Sequence, residues 1–128
     1  MRPPSTPNLA IPFLYYKDLP AAELVYRDKL GFPLVIDQGW TKIFQLAGGA
    51  HVGLVDETHG LNSWQANKCV QLCLRAQDVD AWSDGAVSQN LPTLSEMFQN
   101  DAIGIRAFVF DDPEGYQIEV QSPTRDGA

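Results

Sequence analysis

Glu119 lies in the run Gln117-Ile118-Glu119-Val120-Gln121, where polar and apolar residues alternate. That period of two marks a half-buried strand, so the Glu119 carboxylate stands on its polar face, turned to a cleft. Upstream, Arg106, Phe108 and Phe110 share one face of a second strand, and the smaller Ala107 and Val109 share the other, expected to lie beneath a helix. Asp112-Pro113-Glu114-Gly115-Tyr116 reads as the tight turn between the two strands, with Gly115 supplying the positive φ. The two strands are therefore expected to offer anionic, cationic and aromatic groups to one side of a sheet. Arg106 would hold an anionic ligand group, or pair with Glu119 or Glu96. Phe108 and Phe110 would stack on a flat ligand, or pack in the core.

Other residues add to this inventory. His51 is the one acid–base group near the expected cleft, because His59 falls in a linking segment. Trp40 and Phe44, four apart on one expected strand, point to one side as groove lining or core. Trp64 sits in the polar segment Asn62-Ser63-Trp64-Gln65, as a docked aromatic or a cover for a groove mouth. Tyr15 shares a face with Ile11 and Phe13 and would offer a hydroxyl to the groove. Asp111 and Asp112 are adjacent, face apart on the chain and serve the turn rather than acid–base work. No Gly-x-Ser-x-Gly elbow, phosphate loop with Lys, or His-Glu-x-x-His motif is present.

A chain of 128 residues is large enough to bury a core as a single domain. Its net charge of -7, with nine Lys and Arg, disfavours nucleic acid, whose phosphates need a basic face, and suits a cationic partner. Cys69 and Cys73 are four apart on one expected strand, about 13 Å, too far to bridge each other. They read as reduced thiols in a cytoplasmic protein. Met1 to Ala10 has three prolines and no apolar run, and no stretch reaches transmembrane length, so no signal, anchor or membrane partner is expected.

These residues must be positioned by an ordered set of elements. Strands are expected at Ile11–Tyr16, Leu34–Ile36, Trp40–Leu46, Ala50–Val55, Val70–Arg75, Leu91–Phe98, Ile105–Asp111 and Tyr116–Gln121. Asp18 and Asp78 read as N-caps of two helices, the first carrying Ala22, Val25, Tyr26 and Leu30 on one face and ending at Gly31. The halves repeat. Leu14, Asp18 and Leu19 recur sixty residues later as Leu74, Asp78 and Val79, and Gly49, Val52 and Leu54 recur sixty-six later as Gly115, Ile118 and Val120. This predicts one α+β domain of two βαβββ modules, 9–55 and 69–121, in pseudo-twofold repeat, forming a cupped mixed sheet with helices on its outer face. Linker 56–68 joins the modules, and 122–128 is a frayed tail.

On Asp18-Leu19 with Ala22 and Tyr26, the Leu30-Gly31-Phe32 helix end, Asp78-Val79 and the Asp112–Tyr116 turn, the chain resembles the vicinal oxygen chelate superfamily of glyoxalases, dioxygenases and bleomycin-resistance proteins. Metal enzymes of that superfamily hold one divalent ion by a side chain from each of four strands. The resemblance places those positions at Ile11, Gly53, Gln71 and Glu119, of which only Glu119 is a strong ligand and Gln71 a weak one. Ile11 and Gly53 offer no donor, and His51 lies about 6.6 Å along the strand from Gly53. Ile11-Pro12-Phe13-Leu14 and Gly104-Ile105-Arg106 are similar to the metal-free branch typified by bleomycin-resistance proteins, which also points to antibiotic resistance. That resemblance implies a homodimer sequestering a small or medium-sized cationic or aromatic ligand, with no cofactor, metal or catalysis. Its ligand contacts would be Tyr15, Trp40, Phe44, His51, Trp64, Gln71, Arg106, Phe108, Phe110 and Glu119. The alternative is a metal-dependent lyase, isomerase or dioxygenase with a variant site of Glu119, Gln71 and His51.

Overall fold

The computed structural model describes residues 1–128, which form two compact units, Met1–Trp64 and Gln65–Ala128. In the first, strand β1 (Phe13–Tyr16) leads into helix α1 (Leu19–Leu24), which continues as a π-helical turn over Val25–Lys29. Three strands follow, β2 (Leu34–Asp37), β3 (Thr41–Ala47) and β4 (Ala50–Asp56), in the sheet order β1-β4-β3-β2. The second unit repeats the plan with β5 (Gln71–Arg75), α2 (Val79–Ser88), β6 (Phe98–Asn100), β7 (Ile105–Asp111) and β8 (Gln117–Pro123), ordered β5-β8-β7-β6. Each unit is thus a mixed four-stranded sheet with one helical segment, as the α+β repeat predicts. The first and last strands of each unit run parallel, β1 on β4 and β5 on β8, and the rest are antiparallel.

Local chemistry explains both helix starts. The Asp18 carboxylate accepts a hydrogen bond from the Ala21 backbone N–H and the Asp78 carboxylate one from that of Ala81, each satisfying a donor with no partner inside its helix. Leu19 and Ala22 of α1, with Tyr26 of the π turn, are buried. Tyr26 packs at 6.0 Å on Phe44 of β3, and the Tyr16 hydroxyl donates to the Tyr26 hydroxyl at 3.3 Å. The extra residue of the π turn shows in the Leu30 N–H, which bonds the Val25 carbonyl five residues back before Gly31 turns the chain at φ +76°.

The strand expected over Leu91–Phe98 is replaced by an irregular segment leading to the short β6. Asn90 and Thr93 take positive φ, +53° and +58°, which breaks an extended run. The segment still docks on β7. The Ser95 hydroxyl and N–H bond the Val109 backbone, and the Asp111 N–H donates to the Thr93 hydroxyl. β8 runs to Pro123, two residues beyond the expected strand end. The buried Ser122 hydroxyl there accepts from the Val79 N–H at the start of α2 and donates to the Ala76 carbonyl. No helix is long and apolar enough to cross a membrane.

Candidate functional site

In the second unit, register decides which side chains share a face. Phe108 stands opposite Val120 and Phe110 opposite Ile118, all four buried. Arg106, opposite Ser122, is on that same side and clasps Asp80 of α2, Nη2 to Oδ1 at 2.7 Å and Nε to Oδ2 at 3.3 Å. This is the helix-covered face. The expected facing of β7 is therefore reversed: Arg106, Phe108 and Phe110 lie under α2, and Ala107 and Val109 share the open face with Glu119. The reason is the apolar pair Ile118 and Val120, whose cross-strand partners must join them in the core.

The open face of this unit is a polar strip. Val109 stands opposite Glu119, and Cys73 of β5 is its partner on the other side. The Gln121 side-chain amide donates to Glu119 Oε2 at 2.5 Å, and the Cys73 thiol lies 3.9 Å from the same oxygen. Burial, and next the Glu119 charge, push the Cys73 thiol above its ordinary value of 9.0. Gln71 donates to Gln117 across the β5–β8 pair at 2.7 Å. Cys73, Gln117 and Gln121 are neighbours that sequence reasoning missed as site residues. Gln117 and Gln121 are legible in the alternation around Glu119, whereas Cys73 follows from the parallel β5–β8 register, which a single strand's pattern does not reveal.

The first unit also has a face turned away from its helix, on which Thr41, Ile43, His51 and Val55 are nonetheless buried. There Phe13 and Tyr15 of β1 lie beside Gly53 and Val55 of β4, while Leu14 and Tyr16 point to the helix. Phe44 pairs with Val52 and is fully buried under the helix, so it is core, whereas Trp40 lies outside the strand. Trp40 precedes β3 in a turn, where Gly39 has φ +81°, and its half-exposed ring stacks on His59 at 5.8 Å. Tyr15 is half-buried; a Cβ at Gly60 would come within 2.6 Å of its ring, so the loop after β4 lies against it. Trp64 docks on the same unit, with Lys17 Nζ 4.0 Å over its ring and its backbone N–H on Glu57. His51 stands opposite Gln45, 9 % exposed. Its Nδ1 is 2.8 Å from the Gly49 carbonyl, an oxygen that only accepts, so Nδ1 is the donor in that bond.

Of the predicted site residues, Gln71 and Glu119 share the open face of the second unit, and Tyr15 and His51 share the face of the first turned away from its helix. Phe44, Phe108 and Phe110 are core, and Arg106 is an outer-face ion-pair partner.

A scan against family models matches residues 9–120 to the glyoxalase/bleomycin resistance protein/dioxygenase superfamily. The chain belongs to that superfamily. No curated protein matches the sequence. Among solved structures, this superfamily member is similar to lactoylglutathione lyase from Agrobacterium tumefaciens, at 26 % identity and TM-score 0.73, covering 99 % of this chain and 100 % of the other. A glyoxalase/bleomycin resistance protein/dioxygenase from Nocardioides gives 19 % identity and TM-score 0.78, covering 96 % and 87 %. TioX from Micromonospora sp. ML1 gives 19 % and 0.73, covering 91 % and 99 %.

The donor set does not fit the superfamily's metal. Of the four positions that the resemblance assigns to its ligands, Ile11 and Gly53 carry no donor, and the Gln71 amide is bonded to Gln117. A side chain cannot simply be added at 53, because its Cβ would fall within 2.6 Å of the Phe13 ring. No group of three or more His, Cys, Asp or Glu side chains is placed to hold an ion. A catalytic site needs about three protein ligands.

Proposed function

We propose that the protein is a binding member of its superfamily. It takes a small or medium-sized cationic, aromatic ligand, sequesters it as a homodimer, and does so without metal catalysis. The observation that carries this reading is Glu119: a carboxylate with one amide donor, Gln121, and a protonated thiol beside it, standing on the open face of a sheet. No cation is paired with it among the ion pairs of the structure. A ligand ammonium or amidinium would make a charge-assisted hydrogen bond there. The net charge of -7 would draw such a ligand in. Aromatic stacking of about 1 kcal/mol per ring pair and one such charged contact of about 2 kcal/mol supply the oriented part of the binding free energy, and buried apolar area of the ligand supplies the rest.

The test is calorimetric titration with proflavine, a planar aromatic cation. Micromolar binding that weakens at least tenfold in Glu119→Gln supports the reading, and binding unaffected by that substitution refutes it.

A second reading is favoured by the likeness to the lactoylglutathione lyase over the whole chain. It makes the protein a metal-dependent lyase, isomerase or dioxygenase with a variant site drawn from Glu119, Gln71 and His51. The metal content of the purified protein separates the two.

A further inference from the structure

We infer that Phe13 is a stacking plate for a flat ligand on the first unit and that Gly53 is the residue that lays it flat; the inference rests on the ligand class proposed above. β1 and β4 run parallel with Phe13 directly opposite Gly53, on the face of the first unit turned away from its helix. Side chains on neighbouring strands ordinarily stand side by side, each occupying the space above its own Cα. At position 53 that space is held by the neighbour's ring. A Cβ built there would lie within 2.6 Å of Phe13 Cε1, closer still to Cδ1, and 3.4 Å from Ile11 Cγ2. The phenyl group therefore leans across β4 and rests on its backbone.

Gly53 has no positive φ, so its backbone does not require glycine. A glycine in the middle of a strand weakens it and marks a close approach by another group. Here the approaching group is Phe13. Despite that contact Phe13 as a residue is 49 % exposed. One side is supported by the strand and the other is left outward, as a ring fixed by the backbone beneath it. A ring held this way binds a flat ligand with little further loss of rotamer freedom, which is how preorganised aromatic anchors gain affinity. Its face carries the negative end of the quadrupole, which favours a cationic ring, in keeping with an acidic chain. The occupant is thus a planar aromatic cation.

The experiment is fluorescence titration of proflavine against the full chain and four variants, Phe13→Leu, Phe13→Tyr, Gly53→Ala and Glu119→Gln. Light scattering of each reports its oligomeric state. The plate predicts that Phe13→Leu and Gly53→Ala each raise Kd at least tenfold and that Phe13→Tyr stays within about twofold of the parent. Should Gly53→Ala not fold, the two Phe13 variants decide. If Phe13→Leu binds as the parent does while Glu119→Gln weakens, the plate is overturned and the ligand class stands. Loss of dimer in Phe13→Leu at unchanged Kd also overturns it, by placing the ring in a subunit contact. If the parent chain binds no proflavine, the ligand class falls and the plate with it.

Discussion

At the scale of single residues, the pair of Cys73 and Glu119 joins structure to reactivity most directly. The thiolate is the nucleophile of a cysteine. Burial and the neighbouring carboxylate both disfavour that anion, so Cys73 titrates above its ordinary 9.0 and stays protonated at neutral pH. Removing the charge while keeping the shape should relieve part of the penalty. In a Cys69→Ser background, Glu119→Gln is expected to lower the pH at which Cys73 alkylates and to speed its reaction with iodoacetamide severalfold near pH 8.5, as an order of magnitude set by one pKa unit. Peptide mass spectrometry over a pH series measures it; an unchanged profile would mean that the thiol and carboxylate do not meet in solution. Cys73 is thereby cast as a quiet neighbour of the Glu119 carboxylate rather than as a reactive group.

At the scale of elements, α2 is fastened to β7 by Asp80 and Arg106. Hydrogen bonding to Arg106 holds the Asp80 carboxyl below its ordinary 3.8. A carboxyl depressed in the folded chain adds stability above its unfolded value and loses it as pH falls through the folded one. Asp80→Asn should therefore reduce the fall in melting temperature on acidifying from about pH 5 to 3, read by circular dichroism, and an identical slope in both proteins would contradict this. The cap is separable from the clasp: Asp78→Ala should cost about 1 kcal/mol in urea unfolding through loss of its bond to the Ala81 N–H. These elements also show what was legible beforehand. Caps at Asp18 and Asp78, and the turns at Gly31 and Gly115, follow from side chains acting on their own backbone, so sequence places them well. The facing of β7 depends on its partner. Both of its faces are apolar enough to be buried, and only the hairpin register, Phe110 on Ile118 and Phe108 on Val120, selects the large pair for the core. Thr93 and Asn90 escaped for another reason: nothing local demands positive φ of a threonine, and the Thr93 bond to the Asp111 N–H is a tertiary effect.

At the scale of the whole molecule, the repeat puts equivalent strands in both units but fills equivalent positions differently. Gly53 and Glu119 correspond across the sixty-six-residue offset; the first lies under an aromatic ring and the second bears a carboxylate. The proposed homodimer predicts a light-scattering mass of twice 14.2 kDa at micromolar concentration, and a mass of one chain refutes it. Metal content is the more decisive measurement. Protein purified without chelators or a metal-affinity tag is expected to hold far less than one divalent ion per chain by elemental mass spectrometry, before and after soaking with manganese, nickel or zinc. Two of the four positions that the resemblance assigns to ligands have no donor, and an ion held by Glu119 and one amide exchanges away during desalting. A ratio near one in the parent chain would instead make Glu119 a metal ligand and favour the lyase, isomerase or dioxygenase reading.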